Sequence, residues 1–169
     1  LNFYQAALAE FIGVFLLVLV VCGIGITINK SEPAPASING ALGAGLTVAT
    51  IVWATNAISG ANLNPAISMV LIFTNDLDLM RGVFYIICQL LGAVAGSATL
   101  VALVPEFARP MLGMTLVNDK ITLLKAFGVE VIATFMLAFI VFACLDKNRK
   151  DLGGSFPLTI GLVVTIGAL

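Results

Sequence analysis

Ile58-Ser59-Gly60-Ala61-Asn62-Leu63-Asn64-Pro65-Ala66-Ile67-Ser68 is the stretch whose reading decides the fold. It interrupts long apolar runs with polar and small residues. In a bilayer every unpaired N–H or C=O costs several kcal/mol, so irregular backbone is confined to places where protein buries it or a wet cavity meets it. The short apolar run that follows, Ala66 to Phe73, is too short to cross a ~30 Å hydrocarbon core at ~1.5 Å per residue. The segment therefore reads as a re-entrant loop followed by a half-helix, placed at 64–73. Asn64-Pro65 suits its start. Asn is a favoured N-cap, and Pro at the first helical position gives up only an N–H that had no partner. The free N–H groups and aligned peptide dipoles make this end electropositive, and Asn64 adds an NH2 group that a solute can meet.

Outward from this loop, the chain divides into further spans at about 6–28, 38–57, 82–104, 123–145 and 155–169. Glu10 and Glu130 each lie inside a span, where a carboxylate is costly and must face the bundle interior or water. Gly40, Gly43 and Gly45 in the second span, and Gly92 and Gly96 in the third, are small residues that let helices approach closely. Gln89 is polar within the third span and is read either as lining a pore or as bonding a neighbouring helix. The first run lacks a basic leader and a cleavage site, so it is read as a span and not as a signal peptide.

The chain also repeats itself. Glu10-x-x-Gly13-x-Phe15-Leu16-Leu17 matches Glu130-x-x-Ala133-x-Phe135-Met136-Leu137, and Gly43-Ala44-Gly45-Leu46 matches Thr159-Ile160-Gly161-Leu162, with Gly45 and Gly161 116 positions apart. An odd number of spans separates the copies, so the second runs through the membrane upside down. Inverted repeats with a site at the midplane are a transport architecture. The same offset puts a second Asn-Pro-Ala loop near position ~180, so the sequence reads as a fragment truncated in the fifth span. The fold class expected is an all-α membrane protein, one incomplete channel domain over 1–169.

Composition agrees. Of 169 residues 60% are hydrophobic and 10% charged, with no histidine, and the mean hydropathy is +1.13. A formal net charge of −1 offers no basic field for nucleic acid. No metal cluster, phosphate loop or nucleophile–base pair stands out, so neither an enzyme nor a cofactor is expected. Cys22, Cys88 and Cys144 fall within spans and read as small packing residues. Lys147, Arg149 and Lys150 cluster after the fourth span, which places that loop, the N-terminus and the signature loop on the cytoplasmic side. Asn29-Lys30-Ser31 matches a glycosylation acceptor and would then face outside.

Ser-Gly-Ala-Asn-Leu-Asn-Pro-Ala resembles the first signature loop of the aquaporins, the water and small-solute channels. The short stretch 105–122 after the third span resembles the animal water-channel branch. The resemblance implies a helical bundle of inverted repeats in the plasma membrane, assembled as a homotetramer with one pore per subunit. It implies that Asn64 is the midpore donor, with Pro65 and Ala66 shaping the half-helix. It makes the carbonyls of Gly60, Ala61 and Asn62 the acceptor ladder; the family commonly has His where Asn62 stands. Glu10 and Glu130 match the family's paired buried glutamates, which hold the backbone N–H groups of the re-entrant loop, a proton relay being the alternative. Ala44 and Ala168 fall where water-selective members carry an aromatic and a His in their outer filter. Smaller residues there widen the passage, as in glycerol-permeating insect members of that branch. Expected permeants are water, glycerol and urea. A water-selective pore, an ion-coupled transporter and a non-conducting adhesion protein are the competing readings.

Overall fold

The computed structural model describes residues 2–27, 33–112, 117, 120–146, 148–149 and 154–169. In chain order it has α1 (Phe3–Thr27), α2 (Pro33–Ser59), α3 (Pro65–Phe73), α4 (Leu79–Leu103), a short 3₁₀ turn (Glu106–Met111), α5 (Leu123–Leu145) and α6 (Phe156–Ala168). Four of these helices, α1, α2, α4 and α5, are long and apolar enough to cross a membrane. The chain is an integral, multi-pass, all-helical membrane protein. Asn29 and its acceptor pattern lie outside the described residues.

Helix starts follow the local chemistry. The second helix begins at Pro33, several residues before the apolar run itself. Pro33 and Pro35 fall in its first turn, where backbone N–H groups have no helical acceptor and proline costs nothing. Asp78 caps α4 by accepting the Arg81 N–H at 3.1 Å. Ser155 caps α6, accepting from the Leu158 N–H at 3.4 Å. Residues 105–122, read as loop, contain the 3₁₀ turn.

The half-helix α3 has 9 residues, about 14 Å at ~1.5 Å per residue, or half the hydrocarbon core. One face of it is enclosed by protein, while Met69 and Phe73 are exposed. Leu63, Ile67 and Leu71 are spaced four apart and buried against Val14 of α1, Ile51 and Val52 of α2, Val141 of α5 and Ile160 of α6. This is the apolar core, and it sits around the re-entrant segment.

Elsewhere helices meet through glycine. The first helix packs along α4 and along α2, while α2 packs along α6. A Cβ at Gly92 or Gly96 would run into the backbone carbonyl of Phe11 or Phe15, so α4 rests directly on the backbone of α1. At the α2–α6 crossing, a Cβ at Gly45 would strike the Gly161 carbonyl, and one at Gly161 would strike the Gly45 carbonyl. These two glycines are equivalent in the internal repeat. A residue meets its own equivalent only on a twofold axis, as in an isologous contact. The crossing therefore marks the pseudo-twofold axis relating the copies. Consistent with it, α1 packs on α2 as α5 packs on α6.

Gly92→Val should push α4 off α1, since overpacking against backbone costs about 1–3 kcal/mol. We expect less monodisperse protein by size exclusion in detergent and a lower unfolding temperature. Gly128→Ala, with open space around its Cβ position, should leave both unchanged.

Candidate functional site

The loop between α2 and α3 is held in a conformation that its residues would not adopt alone. Gly60, Ala61 and Leu63 have φ of 91°, 51° and 51°. Left-handed backbone at the two non-glycine positions costs ~1–2 kcal/mol each. What holds it is one carboxylate. Glu10 is 0% exposed. Its Oε1 accepts the Asn62 N–H at 3.0 Å and the Ser59 hydroxyl at 2.5 Å. Its Oε2 accepts the Leu63 N–H at 2.7 Å and the Gln89 side-chain amide at 2.7 Å. A carboxylate has about four lone-pair sites, so these four donors saturate it. Charge-assisted bonds of this kind are roughly twice as strong as neutral ones.

The ring of contacts closes through side chains that sequence reasoning left without a role. Ser59 Oγ also accepts the Ala61 N–H at 3.0 Å, and the Tyr85 hydroxyl donates to the Ser59 carbonyl at 3.0 Å. Gln89 Nε2 reaches both Glu10 and Ser68 Oγ, the latter at 2.9 Å. Of the two readings of Gln89, it is the bond to neighbouring elements that the structure shows. Nothing in the sequence linked Tyr85 to the loop, since it lies on α4; Ser68 closes the signature stretch itself but carried no role. A signal did exist for Gln89, a polar residue inside an apolar span.

Asn64 caps α3. Its Oδ1 accepts the Ala66 N–H at 2.8 Å, which fixes the amide and leaves its NH2 as the free end. That end borders a cavity of about 270 Å³. One wall is the loop itself, from Gly60 to Asn64; apart from Asn56 on α2 the other walls are apolar, with Val48 and Val52 on α2, Val141 on α5, and Ile160 and Val164 on α6. Among the described residues, no hydrogen-bond donor engages the carbonyls of Gly60, Ala61 or Asn62. The loop thus brings a donor group and a row of acceptors to a space whose other walls are apolar except at Asn56.

Ala44 is half-buried on α2 and Ala168 is exposed at the end of α6. Neither lines this cavity. Each lies four residues from a wall residue, Ala44 from Val48 and Ala168 from Val164, so each continues a cavity-facing stripe one turn outward. Glu130, expected as one of two buried glutamates, is instead exposed on α5, and the loop N–H groups are held by Glu10. The three cysteines are free thiols. No group of metal-ligating side chains occurs among the described residues.

The family model described as Major intrinsic protein matches residues 1–169. The chain belongs to the major intrinsic protein, or aquaporin, family. This aquaporin-family chain is 38% identical over 167 residues to aquaporin-5 of Ovis aries, covering 99% of the chain and 62% of that protein. It is 38% identical over 171 residues to aquaporin-4 of Mus musculus, covering 99% of the chain and 52% of that protein. Among solved structures it resembles the aquaglyceroporin from Plasmodium falciparum. The TM-score is 0.83 at 29% identity, with 98% of this chain and 72% of that one covered. The chain therefore spans about 62% of the length of the aquaporin-5 it matches.

Glu10→Ala should leave two backbone N–H groups, the Ser59 hydroxyl and the Gln89 amide without an acceptor, at about 1–3 kcal/mol for each buried group. We expect near-complete loss of folded protein at the cell surface. Glu10→Gln, which keeps the shape but swaps one acceptor oxygen for a donor facing other donors, should lose a smaller but substantial share. Surface biotinylation and thermal unfolding in detergent measure both.

Proposed function

We propose that the full protein is a passive pore for water and small uncharged solutes, glycerol and urea among them. The observation that carries this reading is the Asn64 end of α3 opening on the 270 Å³ cavity beside the unengaged loop carbonyls. A solute crossing there exchanges its water for one donor and a row of acceptors. Apart from Asn56, the walls outside the loop are apolar and offer it no competing bonds. Selectivity then rests on diameter, lining polarity and electrostatic barrier. The half-helix N-terminus carries roughly half a positive charge, which repels cations and protons.

The breadth of the solute range rests on Ala44 and Ala168. Their positions one turn beyond Val48 and Val164 support an outer filter at the same level on two walls. Alanine at both leaves room for a polyol. In this reading Glu130 supports the second re-entrant loop as Glu10 supports the first. The protein assembles as a homotetramer in the plasma membrane with its N-terminus in the cytoplasm.

The relatives set the competing outcome, since two of them are aquaporins, aquaporin-5 and aquaporin-4, and the structural neighbour is an aquaglyceroporin. Expressed in oocytes, the full chain should pass water, glycerol and urea without ionic current. Ala44→Phe with Ala168→His should cut glycerol uptake much more than osmotic water flux. A wild type that passes water but no glycerol above background overturns the wide filter and leaves a water-selective pore.

A further inference from the structure

One wall of the cavity beside Asn64 carries a polar group that the loop chemistry does not use. Val48, Val52 and Asn56 of α2 all line the cavity. They stand four residues apart and so form one stripe on the helix face that looks into it. The stripe begins with two valines and ends with an amide. The neighbouring hydroxyls of α2 are engaged elsewhere. Those of Thr47, Thr50 and Thr55 donate to the carbonyls of Gly43, Leu46 and Ile51, one turn back, at 2.7, 2.8 and 2.8 Å. Ser59 donates to Glu10. Asn56 uses its backbone carbonyl to accept the Gly60 N–H at 3.0 Å. Among the described residues, its side-chain amide has no hydrogen-bond partner.

An amide set among valines is unfavourable until something bonds it. Asn56 is half-buried and borders the cavity, so an occupant of that space can reach it. The Asn62 side-chain nitrogen, by contrast, is sealed within the protein. Asn56 stands one helical turn before Gly60, at the level of the loop. The free groups around the cavity are then of three kinds. The Asn64 NH2 donates, the carbonyls of Gly60 to Asn62 accept, and the Asn56 amide does both from adjacent atoms. Ala44 lies on the same stripe three turns away, ~18 Å at ~1.5 Å per residue, so a solute meets the two positions at different times.

We propose that the Asn56 amide is a specificity-determining group that favours urea and other small planar amides over polyols. This rests on the pore reading above and adds to it a residue that reads solute chemistry, where Ala44 and Ala168 set only width. A primary amide presents N–H and C=O side by side in one plane. Urea presents the complementary C=O and N–H, so two parallel bonds join them. Its second NH2 group then points away, free to donate to the loop carbonyls. Glycerol can bridge the same pair of atoms only by fixing a C–C torsion, an ordering cost that rigid urea does not carry.

The test uses the full chain in oocytes, with surface biotinylation to express urea, glycerol and water permeability per channel. Asn56→Leu keeps the side-chain size and removes both bonding atoms. It should lower the ratio of urea to glycerol permeability several-fold and change water permeability less. Asn56→Ala should lower the same ratio although the passage is wider, whereas a steric role alone would raise both fluxes together. If the leucine variant does not reach the surface, the alanine variant supplies the ratio. A ratio equal to wild type in the variants that reach the surface overturns the proposal and leaves the pore reading intact. A wild type that passes water but no urea overturns it too, whatever its glycerol flux. A wild type that passes no water overturns the pore reading, and this proposal with it.

Discussion

The structure depends on one buried carboxylate. A bilayer supplies no water, so a loop at membrane depth must find every backbone partner within the protein. Glu10 answers that need by accepting two loop N–H groups, the Ser59 hydroxyl and the Gln89 amide. The same bonds offset the cost of left-handed backbone at Ala61 and Leu63. They also decide which loop groups remain free. The N–H groups of Asn62 and Leu63 turn toward α1, and the carbonyls of Gly60 to Asn62 are left for the cavity. Stability and site chemistry are here consequences of a single arrangement.

That arrangement needs the helices to be close, and closeness is supplied by missing side chains. Gly13 on α1 leaves the space that Leu63 fills. Gly92 and Gly96 let α4 lie on the backbone of α1, which brings Tyr85 and Gln89 within reach of the loop. Lipid is as apolar as leucine, so association inside a membrane relies on fitted contact and internal hydrogen bonds. This also explains the outward face. Only 6% of the central stretch of α5 is buried, and its Phe127, Phe135 and Phe139 are exposed, a surface that would be untenable in water.

The cavity that results is polar along the loop and at Asn56, and apolar elsewhere. A narrow space of this kind lets a small molecule hold its hydrogen bonds at those groups while nothing binds it tightly elsewhere.

Much of this was legible in the residues alone. Apolar run length located the spans, because hydrocarbon thickness imposes a minimum length on any helix that crosses. Asn64-Pro65 located the half-helix, because cap chemistry is local. The matched copies implied inversion, since an odd number of crossings separates them. What the residues could not reveal was which distant groups converge. Glu10, Ser59, Ser68, Tyr85 and Gln89 lie on four helices, and their meeting depends on crossing angles and glycine contacts that no local pattern encodes. The repeat alignment paired Gly45 with Gly161, but only packing put the two in contact on the axis.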